Sequence, residues 1–256
     1  CKMISWPVVR YVLTAAFRDR LVLSLLVLMA VGASMAIFLG SAAVIEADDF
    51  AVVFAAGGLR LTGATGLILF IVFYLRRSFD TKDVEFLLSR PVSRICFLFS
   101  HAAAFMILAA LTAVFVFVTV CAVAPHSIGA GHVLWGVSLL AEYIIIVNAA
   151  LFFAMVLPSA AAGSLAIFAL YFLGRMIGQI LGIIHGGLGM AGFDVLGTAM
   201  EGISLIIPRL DLMAQSSWLV YGPDQVIGYG FILLQTALYS FLTVMAASVD
   251  LIRRQF

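Results

Sequence analysis

From Leu21 to Ile45 the chain runs without a single charged residue. Wound as a helix at ~1.5 Å per residue, such a run outreaches the ~30 Å hydrocarbon core of a bilayer. Inside hydrocarbon each backbone amide needs a partner within the structure, which restricts spanning segments to helices and closed barrels. A run this long, with no apolar/polar alternation, selects the helix. Five further runs follow, at 57–75, 95–124, 133–157, 160–184 and 226–249. The chain is 64% hydrophobic and 11% charged, with a mean hydropathy of +1.20, whereas soluble domains carry roughly a quarter charged residues. These features predict an all-α integral membrane protein, one transmembrane domain over residues 1–256 with six transmembrane helices. A net charge of +1 points to no nucleic-acid partner.

Orientation follows from where the basic residues fall, because Lys and Arg concentrate on the cytoplasmic side. With six spans and a cytoplasmic N-terminus, eleven of the 14 Lys and Arg residues are cytoplasmic: Lys2, Arg10, Arg18, Arg20, Arg76, Arg77, Lys82, Arg90, Arg94, Arg253 and Arg254. Arg60, Arg175 and Arg209 are the exceptions. The expectation is a multi-pass protein of a bacterial inner membrane with both termini in the cytoplasm.

Residues 5–20 carry a helix start, Ser5 with Pro7 in the first turn, followed by Trp6, Val9, Leu13, Ala16 and Phe17 at helical spacing. Arg10, Thr14 and Arg18 fall on another face. This predicts an interfacial helix on the cytoplasmic surface, its arginines toward anionic lipid. The apolar run starts too late for a signal peptide. Between the fifth and sixth spans, 185–225 is Gly-rich and then mixed, which predicts an outer re-entrant or interfacial segment with Trp218 and Tyr221 as anchors. The three cysteines and four histidines show no ligand spacing, so no metal site and no disulfide are expected.

The one densely charged stretch lies at 76–94, RRSFDTKDVEFLLSRPVSR. Such a run belongs in water or the headgroup layer. Val84, Leu87, Leu88, Val92 and Ile95 fall on one helical side, and Pro91 breaks the pattern. A short helix to Ser89, a break at Arg90 and a new helix opening at Pro91 make a cytoplasmic elbow between spans 2 and 3.

This stretch resembles the loop after the second span in the membrane permeases of type-2 ABC exporters, which typically reads Gly-Thr-Leu-Glu, two or three apolar residues, then Ser-x-Pro-Val-Ser-Arg. The likeness runs through Glu85, Phe86, Leu87, Leu88, Ser89, Arg90, Pro91, Val92, Ser93 and Arg94, with Lys82-Asp83 where the family has Gly-Thr. In architecture it extends to the surface helix, the six spans and the outer segment. The resemblance implies a permease subunit of an ATP-driven exporter whose elbow, from Asp83 to Arg94, is the coupling helix gripped by a cytoplasmic ABC ATPase. It implies pairing with a second copy or a similar permease. The chain carries no Gly-x-x-x-x-Gly-Lys-Ser/Thr, so it is not expected to be an enzyme by itself or to bind a cofactor directly; ATP and Mg belong to the partner.

Two further patterns stand out. Gly174, Gly178, Gly182 and Gly186 recur every four residues, and Gly32, Ala36 and Gly40 form a shorter stripe. Both permit close helix approach, either within one copy or as a dimer seam. Arg60, Glu142, Asn148 and Arg175 are polar groups inside apolar spans. They serve either as structural pairs and snorkelling anchors or as a substrate path. Arg60, Glu142 and Arg175 would be the coupling charges if the chain were instead a secondary transporter, although no paired inverted repeat is visible. A membrane scaffold that uses the elbow only to recruit a partner is the third alternative.

Overall fold

A computed structural model describes residues 4–42, 47–80, 94–123, 125, 128–185, 198, 201–204, 206–223 and 227–253. The coupling segment from 81 to 93 and Gly186 lie outside the described residues, and with them Asp83 and the Glu85–Ser93 motif. Among the described residues all regular structure is helical: α1 Trp6–Arg18, α2 Arg20–Ala42, α3 Ala47–Asp80, α4 Arg94–Val123, α5 Ala130–Val156 and α6 Ala160–His185, then a 3-10 turn Leu210–Leu212, α7 Ser217–Tyr221 and α8 Tyr229–Arg253. Six of these helices, α2 to α6 and α8, are long and apolar enough to cross a membrane. The chain is a multi-pass membrane protein.

Helix boundaries follow local chemistry. Pro7 sits in the first turn of α1 as expected, and the extended backbone of Asp19 separates α1 from α2. Helix α3 is longer than the 57–75 run. It begins at Ala47, with Asp48 and Asp49 in its first turn where negative charge complements the helix dipole. It continues past Leu75 through Arg76 and Arg77 to Asp80, so the first residues of the charged stretch extend the second span.

Helix α5 is the axis of the molecule, packed against α3, α4, α6, α7 and α8. Trp135, Leu139, Tyr143, Ile146 and Leu151 are fully enclosed, and Ala149, Ala150 and Ala154 let neighbouring backbones come close. Lipid tails are as apolar as leucine, so this packing rests on close fit and not on a hydrophobic drive between helices. Helix α2 leans chiefly on α3, leaving Leu23, Val27, Val31 and Phe38 on the outside. Helix α1 buries Val8, Val9, Val12 and Ala16, packing mainly along α4, and the Ser5 amide donates to Ser100 Oγ at 2.9 Å.

Three contacts define one end of the bundle. Ser5 meets the start of α4, Arg76 donates to the carbonyl of Pro158 between α5 and α6, and Arg94 Nη1 donates to Leu251 O at 3.2 Å near the end of α8. The opposite end carries the end of α2, the start of α3, the end of α4, the start of α5 and the segment 207–223.

Candidate functional site

Non-helical backbone inside a helical bundle is tolerated only where its N–H and C=O groups find protein partners. The segment from Ile207 to Ser216, irregular apart from the 3-10 turn Leu210–Leu212, is such a backbone, and Arg60, Trp135, Ser138 and Arg175 converge on it from the spans. Arg175, well inside α6, directs Nη1 to Met213 O at 2.7 Å and also to the carbonyl of Leu210. The same nitrogen lies 3.4 Å from Glu142 Oε2 of α5. From α3, Arg60 Nη1 donates to Ala214 O at 2.6 Å. Trp135 Nε1 donates to that carbonyl at 3.2 Å, and the Ala214 amide donates to Ser138 Oγ at 2.8 Å. Tyr143 completes the group by donating from its hydroxyl to Arg60 O at 3.0 Å.

Ala214 is the centre of this clamp. It is fully buried and holds a φ of 45°, a left-handed conformation that costs a non-glycine residue about 1–2 kcal/mol. Side chains from two helices satisfy both its backbone groups and keep it there. The segment is tied to itself as well: Arg209 donates Nε and Nη2 to the two oxygens of Asp211, each at 2.9 Å. That paired bond raises the guanidinium above its ordinary pKa.

Glycines let the segment lie close to the helices. A Cβ on Gly174 would stand 2.8 Å from Pro208 O, and one on Gly178 would run into the Asp211 carboxylate. On α5, a Cβ on Gly131 would strike the carbonyl of Trp218. Trp218 is 2% exposed, which corrects its expected place as an interfacial anchor: its side chain is enclosed, while its backbone carbonyl lies against Gly131. Tyr221, 86% exposed, faces outward. Gly222, at φ 85° and ψ 179°, ends α7 in a region essentially reserved for glycine.

Of the four polar residues expected as a pair or a path, three meet at this segment. Glu142 and Arg175 pair directly across α5 and α6, and Arg60 reaches the same turn. Asn148 stays apart; its Nδ2 donates to Ile144 O at 2.9 Å within its own helix. In the first stripe, Gly32 and Ala36 are turned to the inside: a Cβ on Gly32 would sit 3.8 Å from Leu59 of α3, and Ala36 is fully buried. Gly174 and Gly178 face the 208–211 turn of the same chain. Gly182 has open space.

Trp135, Ser138, Tyr143 and Ala214 are members of the clamp that the sequence did not single out. Ser138 and Trp135 lie one turn apart on α5, and a serine and an indole N–H sharing one helix face are the signal that was there to read. Among the described residues no three His, Cys, Asp or Glu side chains lie together as a metal group would. The arrangement does not place a nucleophile beside a base. It holds backbone. No family model matches the chain, and a search of curated proteins finds no match either.

Proposed function

We propose that the chain is the membrane permease subunit of an ATP-driven exporter of the ABC type-2 class, moving its substrate with energy from a separate cytoplasmic ATPase that holds the ATP and Mg. The observation that carries this reading is the run Glu85–Arg94, EFLLSRPVSR, placed between the second and third of six apolar helices. A rigid elbow joining two spans is suited to passing a partner's two-state movement into the bundle. Arg10, Arg18, Arg76, Arg77, Arg94 and Arg253 gather at one end, which supports a cytoplasmic assignment for that end and for both termini, in a bacterial inner membrane. A second copy or a similar permease completes the transporter.

The clamp bears on the alternatives. Coupling charges of a secondary transporter have to exchange partners during transport, whereas Arg60 and Arg175 are bonded to backbone carbonyls of the 210–214 turn. That geometry favours a structural role for them over a substrate path.

The test is purification of the tagged full-length chain from native membranes. A stoichiometric ATPase that is lost on Leu88→Asp and weakened on Pro91→Ala is the expected result. Substrate movement driven by a proton gradient with no ATPase attached would overturn the proposal. An ATPase that binds without turnover-coupled transport would reassign the chain as a scaffold.

A further inference from the structure

Where α1 turns into α2, the surface changes from charged to apolar within two residues. Tyr11, Arg18, Asp19, Tyr74, Arg77 and Ser78 line a pocket of about 270 Å³ between α1 and the end of α3. A second groove, of about 210 Å³, runs between α2, α3 and α4, with Phe17, Val22, Leu25, Met29, Phe70 and Thr112 among its walls. The two adjoin on both sides. Phe17 of the groove precedes Arg18 of the pocket, and Phe70 of the groove stacks on Tyr74 of the pocket at 5.6 Å.

Their chemistries are opposite. In the groove, Thr112 is the only polar side chain among the described residues, and its hydroxyl is taken by Leu108 O at 2.9 Å. Such a surface offers an occupant nothing but apolar contact. The pocket sets two guanidiniums against one carboxylate, a net single positive charge, with two phenols and a serine hydroxyl around them. Arginine suits phosphate because its planar fork donates two parallel hydrogen bonds to paired oxygens. Asp19 and Arg77 each already interact with another group.

We propose that this is a binding site for one anionic glycerophospholipid, with its phosphate at Arg18 and Arg77 and one acyl chain along the groove between α2, α3 and α4. Charge complementarity selects the headgroup: a monoanionic phosphodiester matches the net single charge, a choline cation is repelled, and Asp19 disfavours more highly charged headgroups. The position fits as well, since amphipathic helices such as α1 rest at the boundary of headgroups and acyl chains. The inference rests on the membrane-spanning fold alone and is independent of the exporter reading.

The experiment is native mass spectrometry of the full-length protein, purified in mild detergent and supplied with phosphatidylglycerol and phosphatidylcholine of identical acyl chains. One phosphatidylglycerol should be retained in about tenfold preference, a difference of ~1.4 kcal/mol. Arg18→Gln combined with Arg77→Gln should abolish the preference, and Arg18→Lys with Arg77→Lys, which keeps the charge but loses the fork, should keep only part of it. Thr112→Trp, which fills the groove, should release the diacyl lipid. Equal retention of the two lipids by the unaltered protein overturns the proposal without recourse to any variant. Unchanged retention by the double Gln variant overturns the phosphate contact, and unchanged retention by Thr112→Trp reduces the site to headgroup adsorption and overturns it equally.

Discussion

Ala214 shows how one residue can carry a strained conformation when its surroundings dictate it. Its carbonyl accepts from Arg60 and Trp135 and its amide donates to Ser138. Replacement by glycine removes the steric cost of the positive φ without touching those bonds. Ala214→Gly should therefore raise stability by up to about 1 kcal/mol, offset in part by the greater freedom of the unfolded chain. Ala214→Val, with a branched Cβ and no free volume, should destabilise by more than about 2 kcal/mol. Thermal melting of the detergent-purified protein separates the two. Arg175 makes the complementary case. Arg175→Met frees the Met213 carbonyl, leaves the Leu210 carbonyl with only its bond from the Met213 amide, and leaves Glu142 buried without its cation, a loss of about 3–5 kcal/mol. Amide exchange across 209–215 should accelerate by an order of magnitude or more. Adding Glu142→Gln should recover part of the loss, because the uncompensated charge is then gone; no recovery would show that the backbone bonds alone carry the effect.

At the scale of elements, the glycine stripe of α6 is a seat for the 208–211 turn. Gly178→Leu would push the Asp211 side chain away and should cost about 1–3 kcal/mol by overpacking, with the melting of a single copy lowered. Gly182→Leu meets open space and should leave that melting nearly unchanged. The contrast distinguishes a seam inside one copy from one between copies, since a dimer seam would make Gly182 the sensitive position and show it as a change in assembly size on native gels. Helix α3 is the other instructive element. Counting apolar residues ends it at Leu75, yet arginines at a helix end can stay helical while their guanidiniums reach outward, and Arg76 does so by bonding Pro158 O.

For the whole molecule, the two ends differ in charge and in architecture. One gathers α1, Arg76, Arg77, Arg94, Arg253 and the end of α8; the other carries the clamp, with Arg60, Arg175 and Arg209, and α7. With the native cysteines replaced, a membrane-impermeant maleimide added to intact cells should label Tyr221→Cys and leave Arg253→Cys unmodified until the membrane is opened. The reverse pattern would invert the proposed orientation.

What could be read without coordinates was whatever depends on local composition. Length and continuity of the apolar runs determine six membrane-crossing helices, because the hydrocarbon imposes internal hydrogen bonding on any segment that enters it. Ser5 and Pro7 likewise announce the start of α1. Tertiary structure decided what those segments face. Arg60, Glu142 and Arg175 lie far apart in sequence, and nothing in their spacing brings the three together. The two arginines share the backbone of 210–214 as their partner, a segment with no periodic pattern of its own, and Glu142 joins them through Arg175. A backbone carbonyl has no signature in the side chains that seek it, so three charges that read as a pair, an anchor or a path became one clamp only when the chain was folded around them.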